Sequence, residues 1–277
     1  MARLLAEKMT KDLGEPVIIE HRPGAGTIVG SNLVANSKPD GYNLLLTANP
    51  LVQATHTQST PPFDPVEDFT PIARLVGLSL VLAVRSDSGI KTVDDLVGRL
   101  RAEPAKHTYG SYGMASSAHL YGLLFAEANK VDFRHIAYRG EAPSVTDLLG
   151  GQLTAVFMSG VGALPQIKGG KLTPLAVTST QRMPALPEVP TFRELGYERM
   201  ANDGWFTLFG PANMDPAIVD KIGKSAMAAV QQPDVVERLA DIAMVPFVLD
   251  GPSFAPMLAK ENALWKEIIA KEGLGAK

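Results

Sequence analysis

Cysteine is absent from all 277 residues. That removes disulfides, thiolate nucleophiles and cysteine-ligated metal sites, and it is compatible with either redox compartment. Charge of one sign is scarce as well. Lys and Arg number 26 against 29 Asp and Glu, for a formal net charge of -3, which leaves no electrostatic footprint for nucleic acid or an anionic membrane. No apolar run approaches the length of a bilayer-spanning helix. No signal peptide is visible, since "MARLLAEKMTKDLG" lacks a basic region followed by an apolar one. What is present is ordinary: 45% apolar and 20% charged residues, in a chain long enough for one large or two medium domains.

The chain opens on a helical period. Leu5, Met9 and Leu13 recur about once per turn, and Gly14 stands where a C-cap belongs. An α/β alternation would be expected to begin with a strand, so either the first helix is terminal or, the favoured reading, a leading strand and any export signal lie ahead of this sequence. A strand is expected at Pro16 to Glu20, a helix through Ala35 and a strand at "NLLLT", reached through the turn Pro39-Asp40-Gly41. A proline-rich irregular stretch follows, from Ala48 to Pro71. "LSLVLAVR" then reads as one buried strand, and Thr92 with Asp95 as a capping box opening a helix to Arg101. The middle third repeats strand, loop and helix three times. This favours a parallel-type sheet flanked by helices. Toward the end, Pro216 and Pro233 open helices, and a long amphipathic helix closes the chain with Leu258, Trp265 and Ile269 on its core face.

Three loops carry candidate chemistry. In "RPGAGTIVG" Val29 occupies the third glycine position of a dinucleotide fingerprint, and the next strand runs into Ala48 and Asn49 without an acidic ribose partner. No phosphate-binding G-x-x-x-x-G-K-[ST] occurs. Glycines for a tight turn, or a site wall of backbone N–H groups, both fit that loop. "TYGSYGMASSAHL" places Ser111, Ser116 and Ser117 where a strand hands over to a helix. Orphan N–H groups and the helix dipole there suit a carboxylate or phosphate, and simple N-capping suits it too. Its spacing is not the G-x-S-x-G of a serine hydrolase. His119 lies inside the helix and reads as a core residue. "YRGEAPSVTDLLGG" gives a second helix start at the same sheet edge, with Arg139 at hand, and Ser159-Gly160 gives a third. The five histidines show no paired metal spacing, no acidic pair stands out as a catalytic couple, and no nucleophile, base and oxyanion donor assemble. Neither catalytic residues nor a metal or cofactor are expected.

Taken in order, "RPGAGTIVG...PDGY", "DFTPIA", "YGS.G....HL", "YRGEAPSVTDLLGG", "LAVTS..R...LPEVPTF.E.G" and "W..L.GPA" resemble the Bug family, the periplasmic receptors of tripartite tricarboxylate transporters. The resemblance implies an α/β two-lobed clamp of periplasmic-binding-protein type II, here without its first strand. Residues 1–83 with 205–277 would form one lobe and 84–204 the other. It implies a monomeric periplasmic receptor, not an enzyme, that closes on a small mono- or dicarboxylate, aliphatic or aromatic, in an interlobe cleft. The receptor would present that ligand to a membrane permease of the tripartite type, and nucleic acid would not be a partner. A ligand-sensing partner of a membrane signalling protein would use the same clamp, and an enzyme on a two-lobed frame is the third alternative. Carried over, the ligand contacts are Pro23, Gly24, Ala25, Gly26 and Thr27 in one lobe. In the other they are Ser111, Met114, Ser116, Ser117, Tyr138, Arg139, Gly140 and Ser159. Two departures from the family pattern bear on the ligand. Ala115 stands where glycine is usual, and Met158 where aspartate is common, which implies a shift toward less polar carboxylates.

Overall fold

A computed structural model describes residues 1–24, 27–242 and 244–275. In chain order the first segment holds α1 (Ala2–Leu13), α2 (Ile28–Ala35), β1 (Leu45–Ala48), α3 (Pro50–Thr55) and β2 (Phe69–Leu78). The middle holds β3 (Leu80–Arg85), α4 (Val93–Ala102), β4 (Thr108–Ser111), α5 (Ser117–Asn129), β5 (Arg134–Ala137), α6 (Glu141–Leu149), β6 (Ala155–Ser159), α7 (Gly160–Lys168) and β7 (Leu172–Val177). The last segment holds β8 (Gly204–Pro211), α8 (Pro216–Val230), α9 (Pro233–Asp241), β9 (Val245–Asp250) and α10 (Gly251–Lys271).

The chain divides into two compact units, Met1–Gly77 with Trp205–Lys277, and Leu78–Gly204. A crossing at Ala83, as read from the sequence, would cut β3, the strand hydrogen-bonded to both β6 and β7. The crossing falls instead at the end of β2. Ser79 separates β2 from β3, so "LSLVLAVR" is not one strand.

The first unit carries a four-stranded sheet in the order β1-β8-β2-β9, with β1 antiparallel to β8 and β2 antiparallel to β9. Its core gathers Trp205, Phe209, Phe254 and Trp265, each almost fully buried. At the centre of this core lies a buried carboxylate. Glu261 accepts from Asn49 Nδ2 at 2.6 Å, Trp205 Nε1 at 2.6 Å and Trp265 Nε1 at 2.9 Å, while Asn49 Oδ1 accepts the Trp205 backbone N–H at 2.9 Å. A buried charge is tolerated only when its lone pairs are filled in this way. The network fixes Trp205, the residue on which the chain re-enters this unit.

Two sequence expectations fail here. Pro16 to Glu20 forms no strand: no strand partner reaches it among the described residues, Val17 N–H turns back to Thr10 Oγ1, and Ile18 is 85% exposed. An extended segment without a ladder is not a strand. Conversely, the stretch read as irregular contains α3 and the start of β2. Neither is visible as a pattern, because six helical residues are too few to show a period and Pro71 interrupts the strand signal. The local signals elsewhere are obeyed. Gly14 caps α1 at φ 75°, Thr92 and Asp95 form both bonds of a capping box, and Pro216 and Pro233 open their helices.

The second unit is a five-stranded sheet in the order β5-β4-β6-β3-β7. Strand β4 runs parallel to β5 and β6, and β3 runs antiparallel to β6 and β7. Its core is aromatic: Phe125, Phe157 and Phe192 stack or cross at 6.1 to 6.4 Å between centroids. Helix α5 lies close on β4 because Gly122 has no side chain. A Cβ there would fall 2.0 Å from a ring carbon of Tyr109, whose hydroxyl donates to His119 O at 3.0 Å. That close approach sets the position of the loop between β4 and α5.

Candidate ligand-binding site

Strands β4, β5 and β6 point the same way, so their carboxyl ends share one sheet edge, and each leads into a helix: α5, α6 and α7 respectively. Strand β4 is continued through α5 toward β5 on one side, whereas β6 is continued through α7 toward the opposite edge. The gap between the ends of β4 and β6 is therefore a topological switch point, where ligands bind in open α/β sheets. Ser111, Tyr138 and Ser159 lie at or just past these three strand ends.

The three helix starts differ in what fills them. At α5, Ser116 is the N-cap, accepting the His119 N–H at 3.4 Å and donating to Gly113 O at 2.7 Å. The Tyr112 hydroxyl bonds there to the Ser117 side chain and the Ala118 backbone, and its pKa is pushed up to about 12 by burial, with the Glu141 charge adding to the effect. At α7, Ser159 gives its N–H to Glu141 Oε2 at 2.5 Å and its hydroxyl to Glu141 Oε1 at 2.8 Å. A carboxylate of the chain itself thus occupies that start. At α6 the N-cap is Gly140 at φ 104°, a left-handed conformation that suits glycine. Pro143 has no N–H, so this start offers the amides of Glu141 and Ala142, which meet no acceptor among the described residues.

The remaining carried-over residues are placed as follows. Ser111 is fully buried and holds the loop from within, donating to Gly113 O at 2.9 Å, accepting from Gly113 N–H at 3.2 Å and lying 2.7 Å from His135 Nε2. Met114 is exposed at the loop tip, as is Arg139 after β5. The Tyr138 hydroxyl donates to Asp147 Oδ2 at 2.7 Å, and burial, followed by Asp147, raises its pKa to about 12. In the other unit Pro23 and Gly24 are exposed, and the Gly24 carbonyl accepts the Thr27 N–H at 3.1 Å. Thr27 caps α2 at φ 86° with a buried hydroxyl that meets no partner among the described residues. Ala25 and Gly26 lie outside the described residues.

Three residues that shape this edge escaped the sequence reading as site residues: Tyr112, Glu141 and His135. Glu141 had a signal, being the first helical residue after a strand-end glycine. The other two had none, because their role comes from packing. His135 stacks on His119 with ring centroids 3.7 Å apart and planes 12° apart. Burial lowers both pKa values to about 4, and each ring's proximity to the other adds to the effect at His135. His119 Nδ1 accepts the Ala115 N–H at 3.0 Å, which puts the neutral ring's proton on Nε2. Ala115, standing where glycine is usual, has φ 54°, and this bond holds it in that strained conformation.

Met158 is fully buried in β6, and its methyl group and Glu141 Oε1 both crowd the point where a Gly162 Cβ would sit, at 3.2 and 2.0 Å. A carboxylate is therefore present beside position 158 although residue 158 is not acidic.

A shallow hollow of about 480 Å³ between α1 and Val17–Ile19 contains none of these groups. It lacks converging buried donors, and chemistry rather than concavity marks the site. Among the described residues no group of three or more acidic or histidine side chains could hold a metal ion, and no helix is long and apolar enough to cross a membrane.

Comparison with known proteins agrees with this geometry. The family model described as "Tripartite tricarboxylate transporter family receptor" (TctC) matches residues 1–274. The chain is 36% identical over 272 residues to the UPF0065 protein in gbd 5'region of Cupriavidus necator, covering 98% of this chain and 82% of that protein. It is 31% identical over 275 residues to Protein BugT of Bordetella pertussis, with 99% and 84% covered. Among solved structures, a TctC solute-binding protein from Polaromonas superimposes with a TM-score of 0.86 at 29% identity, over 98% of this chain and 92% of that one. An R. palustris protein with adipate gives 0.81 at 26% identity, over 98% and 91%. MatC from Rhodopseudomonas palustris with bound malate gives 0.76 at 27%, over 97% and 92%. The fold is the two-sheet α/β fold of type II periplasmic binding proteins. The chain belongs to the TctC/Bug family of tripartite tricarboxylate transporter receptors, solute-binding proteins that are not enzymes.

Proposed function

We propose that this protein is a periplasmic receptor that captures a small carboxylate between its two lobes and presents it to a tripartite-type membrane permease. The observation that carries the reading is the convergence of three helix starts at the carboxyl ends of β4, β5 and β6, around a switch point. Amide and hydroxyl donors at such an edge bind an acid group through the helix dipoles without a full countercharge. Adipate and malate in the two related structures are of the same ligand class. The donors proposed to face the ligand are the amides of Glu141 and Ala142, with Gly140, Met114, Ser116, Ser117 and Arg139 around them. Ser111, Tyr138 and Ser159 hold the loops in place. Pro23 to Thr27 are proposed to close on the ligand from the other lobe as a monomeric receptor changes from open to closed.

Calorimetric titration tests this, using adipate, malate, succinate, butyrate and benzoate on the purified chain. At least one acid is expected to bind saturably and to raise the melting temperature, because a ligand at 100 times its Kd adds about 2.7 kcal/mol to the folded state. No binding and no thermal shift across the whole panel would contradict the assignment.

A further inference from the structure

Glu141 stands out at this edge because its carboxylate is held by the fold itself. Its carboxylate reaches from the first turn of α6 across to the end of β6, where both Ser159 donors fix it. Its charge is also felt at Tyr112, just past the end of β4. The carboxylate thus lies at the end of β6 and close enough to Tyr112 for its charge to act there, which puts it beside the switch point. Glu141 is half-buried, so it keeps a side open to solvent, and a carboxylate has about four acceptor positions, of which Ser159 takes two.

We propose that Glu141 is a specificity-determining residue: its fixed carboxylate excludes a second ligand carboxylate from the switch-point gap, so that the receptor selects monocarboxylates over dicarboxylates. This rests on the carboxylate-receptor reading above and narrows its ligand class. The physical reasons are two. First, at the start of α7 both Ser159 donors are already taken by Glu141, and the Gly162 N–H by the Ser159 hydroxyl. Second, two carboxylates placed side by side repel, and discrimination by like-charge juxtaposition is a recurrent device of binding sites. The remaining acceptor positions of Glu141 suit a hydroxyl or ammonium on the ligand, which adds a donor to the favoured monocarboxylate rather than a second acid.

The test compares matched pairs, butyrate with succinate and hexanoate with adipate, by calorimetry on the wild type, Glu141→Gln and Glu141→Asp. In the wild type the monocarboxylate of each pair is expected to bind about tenfold tighter or more, the scale of a like-charge contact near a protein surface. Glu141→Gln removes the charge at nearly constant shape and is expected to shrink that ratio about tenfold. Glu141→Asp keeps the charge and should keep the preference, whereas a purely structural role would move both variants alike. Circular dichroism and melting temperature confirm that each variant is folded before its ratio is read. A wild type that prefers succinate or adipate, or a ratio unchanged in Glu141→Gln, overturns the proposal while leaving the receptor assignment intact. Failure of all four acids to bind any of the three proteins overturns the proposal, and failure of malate and benzoate as well overturns the receptor assignment.

Discussion

Glu261→Ala is expected to destabilise the protein by about 3–5 kcal/mol in urea unfolding, the largest effect of any single truncation considered. The substitution strands Asn49 Nδ2 and the indole N–H groups of Trp205 and Trp265 in a dry core. Each buried donor left unsatisfied costs about 1–3 kcal/mol, partly recovered if water enters the space. Glu261→Gln is the informative control. Its carbonyl oxygen can still accept from Asn49 and Trp265, but its NH2 group then faces the Trp205 indole donor. About half the loss is expected. Equal stability of wild type and alanine variant would mean that this carboxylate is not the keystone of the first unit's core.

The second large effect is on pH dependence, and it comes from the stacked pair His119 and His135. Their folded pKa values, about 4, lie below the 6.5 of an exposed imidazole. The unfolded chain therefore binds more protons between pH 6.5 and 4. Stability is full above pH 6.5 and is lost as the pH falls through that window. Glu261 contributes with the opposite sign, because burial raises its carboxyl pKa and favours the folded state at low pH. The double variant His119→Gln/His135→Gln isolates the imidazole contribution. It is expected to flatten the acid-side slope of unfolding free energy against pH relative to the wild type, whatever it does to the plateau. An unchanged slope would contradict the account. Protonation of His119 in the folded protein converts Nδ1 from acceptor to donor and expels the Ala115 N–H, so the loop from Tyr112 to Ser116 should loosen as the pH approaches about 4.

The sequence was legible where local chemistry decides structure and opaque where distance in space does. Gly14, the Thr92–Asp95 box and the helix-opening prolines each fix an element end within one turn. The three strand-loop-helix repeats were readable for the same reason, and with them the edge that carries the site. Beside them, Pro16–Glu20 has the composition of a strand, yet strand formation depends on a partner that no local pattern encodes. The content of the helix starts was also hidden. That Ser159 binds Glu141, eighteen residues away, follows from α6 packing on β6, whose end Ser159 forms. That His119 stacks on His135 follows from α5 lying close on β4 through Gly122. Glu141 shows the consequence most clearly. The missing acid at Met158 could be read from the resemblance, but the carboxylate brought near it by the preceding helix, α6, could not.

The central claim is that an acid group docks where α5 and α6 begin, beside the start of α7 that Glu141 fills. Backbone amide NMR of the labelled protein, titrated with the tightest-binding acid of the calorimetric panel, tests it most directly. The account predicts the largest second-unit shifts at residues 112–117 and 138–142, led by the amides of Glu141 and Ala142. Saturable shifts confined to other segments, such as the hollow beside Arg3 and Lys11, would contradict it.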